Sequence, residues 1–169
     1  MAVDRRRVVE ALEEELARTS ATTRPHEHAV LAYRLGLAQA ETAPGDAAAL
    51  RRALASYERA AAGFDPRFDP VEHARVLNAA GAAHRTLGAA ERAASLFREA
   101  ARLLQGRGRD DERAAALSNL GLVRTDQGRP EEAAAAFDVA VPLFDTAAPG
   151  GRRGRATAVL NRDLARAAS

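Results

Sequence analysis

The 169-residue chain is expected to be all-α, an α-solenoid of antiparallel helix pairs with about eight helices, forming one domain over residues 1–169. Three observations predict this. First, a small-aromatic-small triplet recurs at a fixed offset of forty residues: Ala53, Tyr57 and Ala60; Ala93, Phe97 and Ala100; Ala133, Phe137 and Ala140. Second, each triplet has a partner segment upstream, Leu35-Gly36, Ala80-Gly81 and Leu120-Gly121. Third, the turn glycines Gly88 and Gly128 also lie forty apart, each followed by residues suited to starting a helix. Self-similarity at such a period is the signature of stacked supersecondary units, here helix, short turn, helix. Glycine and aromatic are sixteen residues apart in the second and third units and twenty-one in the first, where the extra five are the loop-like Glu41-Thr-Ala-Pro-Gly45.

The spacing inside a unit has a physical reading. Residues at i, i+4 and i+7 share one face of a helix, so each ring has a small residue on either side and a slot between neighbouring helices. A glycine on the partner helix lets the two backbones approach. Its cost in a helix interior is about 1 kcal/mol relative to alanine, which points to a packing role where it recurs.

In order along the chain, residues 4–19 place Val8, Val9, Leu12 and Leu16 on one face and form an N-terminal capping helix. Helices 26–41 and 46–62 make the first repeat (26–62), with Asp46 as N-cap and Gly63 as the stop. Phe64 to Pro70 carries two prolines and links to the next helix, whose start Asp69-Pro70 marks. Helices 70–87 and 89–105 form the second repeat (70–105), closed by Gly106-Arg-Gly108, and helices 110–127 and 130–145 the third (110–145). Pro130 suits the first helical position, whereas Pro142 should kink or fray the last turn. A C-terminal capping helix, 152–168, reads as a first helix without a second, with Leu160 where Leu77 and Leu117 fall and Leu164 at the glycine position.

These motifs resemble the tetratricopeptide repeat (TPR) family. Leu120-Gly121, Ala133, Phe137 and Ala140 match its pattern of Leu-Gly, small residue, aromatic and alanine, and the other two units follow with modest departures. Leu117 and Leu77 replace the family's early tryptophan, and Arg124 and His84 its first-helix tyrosine. The forty-residue period resembles the longer-period kind found in kinesin-light-chain-like proteins and bacterial regulatory TPR proteins. The likeness covers roughly residues 26–145 and implies a right-handed solenoid that binds a protein or peptide.

Composition narrows the function. Hydrophobic residues are 47% of the chain, but about a quarter of all residues are alanine and only 4% are aromatic, so the core is made of small side chains. The 25 basic residues are all arginine against 23 acidic ones, so the pI near 9.8 reflects arginine's high pKa while the net charge is only +2. Nothing there calls for nucleic acid. Arg5-Arg-Arg7 and Arg152-Arg153 with Arg155 are the basic clusters, but acids follow the first closely and stacking aromatics are scarce. Cysteine is absent, which removes disulfides and thiol chemistry. With no apolar run of membrane or signal length expected, the location read from the sequence is cytoplasmic.

No catalytic, cofactor or metal site is expected. His26 and His28 are two apart, on different helix faces, and His73 and His84 are separated by ~16 Å of helix rise. Phosphate-loop, zinc-protease and nucleophile-elbow motifs are missing, and Ser56, Ser95 and Ser118 sit mid-helix without a suitable histidine. The TPR resemblance implies that first helices line a concave groove. With the glycine counted as position eight, positions 2, 5, 9 and 12 face it: Val30, Tyr33, Leu37 and Ala40; Arg75, Asn78, Ala82 and Arg85; Ala115, Ser118, Leu122 and Thr125; then Asn161 and Ala165. The candidate peptide-binding residues are Tyr33, Leu37, Arg75, Asn78, Arg85, Ser118, Leu122 and Asn161 from this stripe, with Asn119 beside it. Amides and hydroxyls re-pair a peptide backbone that loses water, and arginine grips carboxylates. The family's carboxylate clamp does not carry over, because Tyr33 and Leu37 stand where its polar residues are required. The expected function is non-catalytic protein–protein interaction, with no nucleic acid, membrane or cofactor. The second reading is a structural or assembly unit, through self-association or as a scaffold fragment of a larger regulatory or signalling protein.

Overall fold

The structure, a computed structural model, describes residues 5–42, 45–145 and 149–168. Its elements are α1 (Arg5–Arg18), α2 (Pro25–Thr42), α3 (Ala47–Gly63), α4 (Pro70–Thr86), α5 (Ala90–Leu104), α6 (Asp110–Asp126), α7 (Pro130–Ala140), a 3-10 turn (Val141–Leu143) and α8 (Pro149–Ala167). The architecture is an all-α helical repeat. Two compact units divide it, Met1–Leu87 and Gly88–Ser169, with the boundary at the turn after α4. No helix among the described residues is long and apolar enough to cross a membrane.

In the first unit α1 packs on α2, α2 on α3 and α3 on α4. Ala53, Tyr57 and Ala60 form the buried face of α3, and the backbone of α2 passes over the ring at Gly36. A methyl group at Gly36 would lie 2.6 Å from Tyr57 Cδ1, so the glycine is what admits the ring. In the second unit α5 packs on α6, α6 on α7 and α7 on α8. The slot recurs there: Phe137 is wholly buried with Ala133 and Ala140, and a methyl on Gly121 of α6 would come within 2.7 Å of its Cζ. Alanine is the structural residue of both cores, because a zero-exposure alanine marks a backbone seated directly on its neighbour.

Several local signals act as the sequence implies. Asp46 caps α3, its carboxylate accepting from the N–H groups of Ala48 and Ala49 at 3.3 and 3.0 Å. Gly88 and Gly128 occupy left-handed backbone at φ 78° and 67°, which makes the turns before α5 and α7. Pro142 ends α7 early: its ring and missing N–H leave an 11-residue helix at Ala140, followed by the 3-10 turn, where a helix to 145 was expected.

Other signals act differently. Asp69 precedes α4 but makes no capping bond; its carboxylate lies 3.5 Å from His26 Nδ1. Gly63 is the last residue of α3 and has no positive φ. It is glycine because a methyl there would sit 2.7 Å from Ala29 Cβ, where the end of α3 crosses the start of α2. The largest correction concerns α8. Its buried residues are Gly151, Ala158 and Ala165, seven apart, so Ala165 and not Leu164 occupies the packed position. Leu160 and Leu164 lie on the far side of the helix at 59% and 61% exposure. Ala165, placed in the groove stripe by the sequence pattern, is in the core instead. Gly154 meets Phe144, whose Cδ1 would be 2.9 Å from an added methyl, so α8 does use a glycine against a ring, ten residues from the expected place.

Candidate functional site

The nine candidate residues fall into two sets, one in each unit. In the first unit Tyr33 and Leu37 are one helical turn apart on α2, and Arg75, Asn78 and Arg85 follow a helical stripe on α4. Helices α2 and α4 touch. Tyr33 is half-buried, its ring 6.1 Å from that of Tyr57, whereas Leu37 is among the exposed large hydrophobic residues. Burial, and next the neighbouring Tyr33 and Glu41, push the Tyr57 hydroxyl well above the usual tyrosine range. Arg75 lies 4.0 Å from Glu72, one turn earlier on α4, and Asn78 and Arg85 are half-buried. This half of the stripe thus mixes an apolar pair with a cation and an amide.

In the second unit Ser118, Asn119 and Leu122 lie on α6 and Asn161 on α8, two helices that also touch. All four are half-buried. Leu122 packs against the cluster of Ala133, Phe137, Ala158 and Ala165, so its side chain contributes to the α6–α7–α8 core. The Ser118 hydroxyl oxygen is buried and has no hydrogen-bond partner among the described residues. A hydroxyl in that state costs about 1–3 kcal/mol of desolvation. Two of the histidines meet backbone: the Thr19 carbonyl lies 2.8 Å from His28 Nδ1 and the Phe64 carbonyl 2.9 Å from His73 Nδ1. Among the described residues no group of three or more His, Asp or Glu side chains is arranged to hold a metal.

A further position emerges three residues after each repeat glycine, where Gln39, His84 and Arg124 stand. Arg124 is buried, with its side chain 7% exposed. Its guanidinium reaches Glu91 on α5 at 3.3 Å, Glu132 on α7 at 3.2 Å and the Gln127 carbonyl at 2.6 Å, and the Gln127 amide donates back to Glu91 at 2.8 Å. Arg129 joins both carboxylates. The Gln127 hydrogen bond, reinforced by the charges of Arg124 and Arg129, holds the Glu91 carboxyl below the usual carboxylate range. A buried guanidinium is tolerated only when paired in this way, and the cluster ties three helices together. In the first unit Gln39, 6% exposed, accepts a 2.8 Å hydrogen bond from Ser56, itself 3% exposed. Sequence reasoning passed over both groups, because Arg124 finds its acids 33 positions before and 8 after, on other helices, and no short motif encodes that. The register does encode it, since Gln39, His84 and Arg124 are one repeat position occupied by a polar side chain.

No protein-family model matches the chain, and comparison with curated proteins gives no match.

Proposed function

We propose that the chain is a TPR-like, non-catalytic interaction module that binds a peptide or protein segment along the first-helix stripe, on α2 and α4 of the first unit. The observation that carries this reading is the adjacency of α2 and α4 with Tyr33, Leu37, Arg75 and Asn78 in register on them. Those side chains supply apolar area, a guanidinium and an amide, the groups an extended peptide needs when its backbone leaves water. A cytoplasmic setting belongs to the same reading, supported by a chain without cysteine. The test is binding of a pooled, fluorescently labelled peptide library to the wild type and to Arg75→Glu/Asn78→Ala. Selected peptides are expected to lose at least about tenfold in affinity, the scale of one lost charge-assisted contact. Equal binding by the variant removes the stripe as the site.

Self-association is the second reading, favoured by Leu160 and Leu164, one turn apart and both well exposed on α8. Sedimentation velocity across a concentration series decides it: a dimer that Leu160→Glu/Leu164→Glu turns into monomer supports it, and a strict wild-type monomer excludes it.

A further inference from the structure

The position held by Arg124 in the second unit and Gln39 in the first is surrounded by opposite charges in the two units. Along the chain α1 and α2 stand to each other as α5 and α6 do: Arg6 is placed relative to Gln39 as Glu91 is relative to Arg124, in each case 33 residues before. On the following helix Arg52 stands five residues before Tyr57 as Glu132 stands five before Phe137. In the second unit a buried cation is therefore held between two carboxylates and the slot is filled by the protein itself. In the first unit the flanking helices present guanidinium groups, the central residue is a neutral amide, and the slot is open. A cavity of about 260 Å³ occupies it, bounded by Arg6, Gln39, Thr42 and Arg52 with Val9 and Glu10.

Three features point to an occupant. Gln39 is 94% buried by its 6% exposure, spends its carbonyl on Ser56, and has no partner for its Nε2 donors among the described residues. Arg52 has no ion-pair partner among the described residues and bounds the cavity beside Gln39. The cavity adjoins a larger one of about 540 Å³ that shares Gln39 and Arg52 and adds the apolar Leu16, Ala17, Leu35 and Ala55, with the charged Glu13 and Arg59 also on its wall. That volume is in the range that takes a small ligand or a few peptide residues.

We infer that this slot, between α1 and α3 over α2, binds a carboxylate with an apolar neighbour. The carboxylate lies between Arg6 and Arg52 and accepts from Gln39 Nε2, while the apolar body enters the larger cavity. It occupies the place that Arg124 fills in the second unit, with the sign of every charge reversed. The site is separate from the first-helix stripe and does not depend on it. Its carboxylate has two sources, a free small acid or an acidic residue within a peptide, which share this chemistry.

The full chain, labelled with nitrogen-15, is titrated with N-acetyl-leucine, N-acetyl-leucinamide, inorganic phosphate and the peptide acetyl-Leu-Glu-Leu-amide, following the Gln39 side-chain amide by NMR. N-acetyl-leucine or the peptide is expected to shift that amide saturably, whichever binds tighter naming the source, while N-acetyl-leucinamide leaves it unmoved. Arg52→Gln should weaken binding at least about fivefold, and Arg51→Gln, one residue away on the same helix, should not. The triple substitution Arg6→Glu/Gln39→Arg/Arg52→Glu rebuilds the second unit's arrangement and should raise the melting temperature while abolishing binding. Absence of saturation up to about 10 mM of either carboxylate overturns the inference, as do equal shifts by the amide analogue, tighter binding of phosphate, or equal loss in Arg51→Gln and Arg52→Gln.

Discussion

Replacing Gly121 with alanine puts a methyl group 2.7 Å from Cζ and 2.8 Å from both Cε atoms of Phe137. Carbon atoms rest at about 3.5–4.0 Å, so ring or helix must move by close to an ångström. Phe137 is wholly buried between Ala133 and Ala140, and the slot has no space to give. Overpacking of this kind costs about 1–3 kcal/mol, and alanine returns about 1 kcal/mol of helix propensity, so the net loss is about 0–2 kcal/mol. For a chain of this length the upper end of that range is about 4–8 °C in melting temperature. The assay is urea unfolding followed by circular dichroism, with Phe137→Leu and the double variant completing a cycle. Leucine leaves room for the methyl, so the double variant should be less destabilised than the sum by about 1 kcal/mol or more. Gly128→Ala serves as control: nothing lies within 4 Å of a methyl there, its cost of about 1–2 kcal/mol comes from φ 67° alone, and it should be additive with Phe137→Leu. If Gly121→Ala stabilises the protein, or the cycle is additive, the glycine does not admit the ring and the register is wrong.

Three further predictions concern polar groups. Arg124→Met keeps the apolar stem and loses the ion pairs, with a cost of about 1–3 kcal/mol in the urea midpoint; Glu91→Gln/Glu132→Gln should be worse, because the guanidinium left behind is the buried partner. Glu91 also sets an acid limb: its carboxyl titrates below its unfolded value, so its stabilisation is present above pH 4.5, is lost as pH falls through the folded value, and is missing from Glu91→Gln. Tyr57 works at the other end. Its hydroxyl stays protonated in the folded state beyond pH 10, where the unfolded chain ionises, so stability falls as pH rises above 10 and Tyr57→Phe should flatten that alkaline limb.

The repeat register was legible because glycine and aromatic are rare enough to be seen: Gly36 with Tyr57 and Gly121 with Phe137 meet as their spacing implies. Asp46, Pro130 and Pro142 were legible because each acts on its own backbone. Burial by alanine was legible beside the rings, at Ala53, Ala60, Ala133 and Ala140, but not in α8. In α8 the eye follows Leu160 and Leu164, yet a helix seated close on its neighbour buries Ala158 and Ala165 and leaves the leucines outside. Gly63 ends α3 where the sequence places the stop, but the reason for glycine there, the approach of Ala29 from another helix, was not legible. The Arg124 cluster and the Gln39–Ser56 pair needed the third dimension, and only then does the repeat show them to be one position with two solutions.

The chain has two tyrosines and no tryptophan, and both tyrosines, Tyr33 and Tyr57, belong to the first unit with their rings 6.1 Å apart. Excitation at tyrosine wavelengths therefore sees residues 1–87 alone, while the second unit, whose aromatic residues are all phenylalanine, is dark. The protein carries its own optical partition. Denaturation traced by tyrosine emission and by helical circular dichroism on one unlabelled sample separates the melting of the first unit from that of the whole, and coincident curves identify a single cooperative transition.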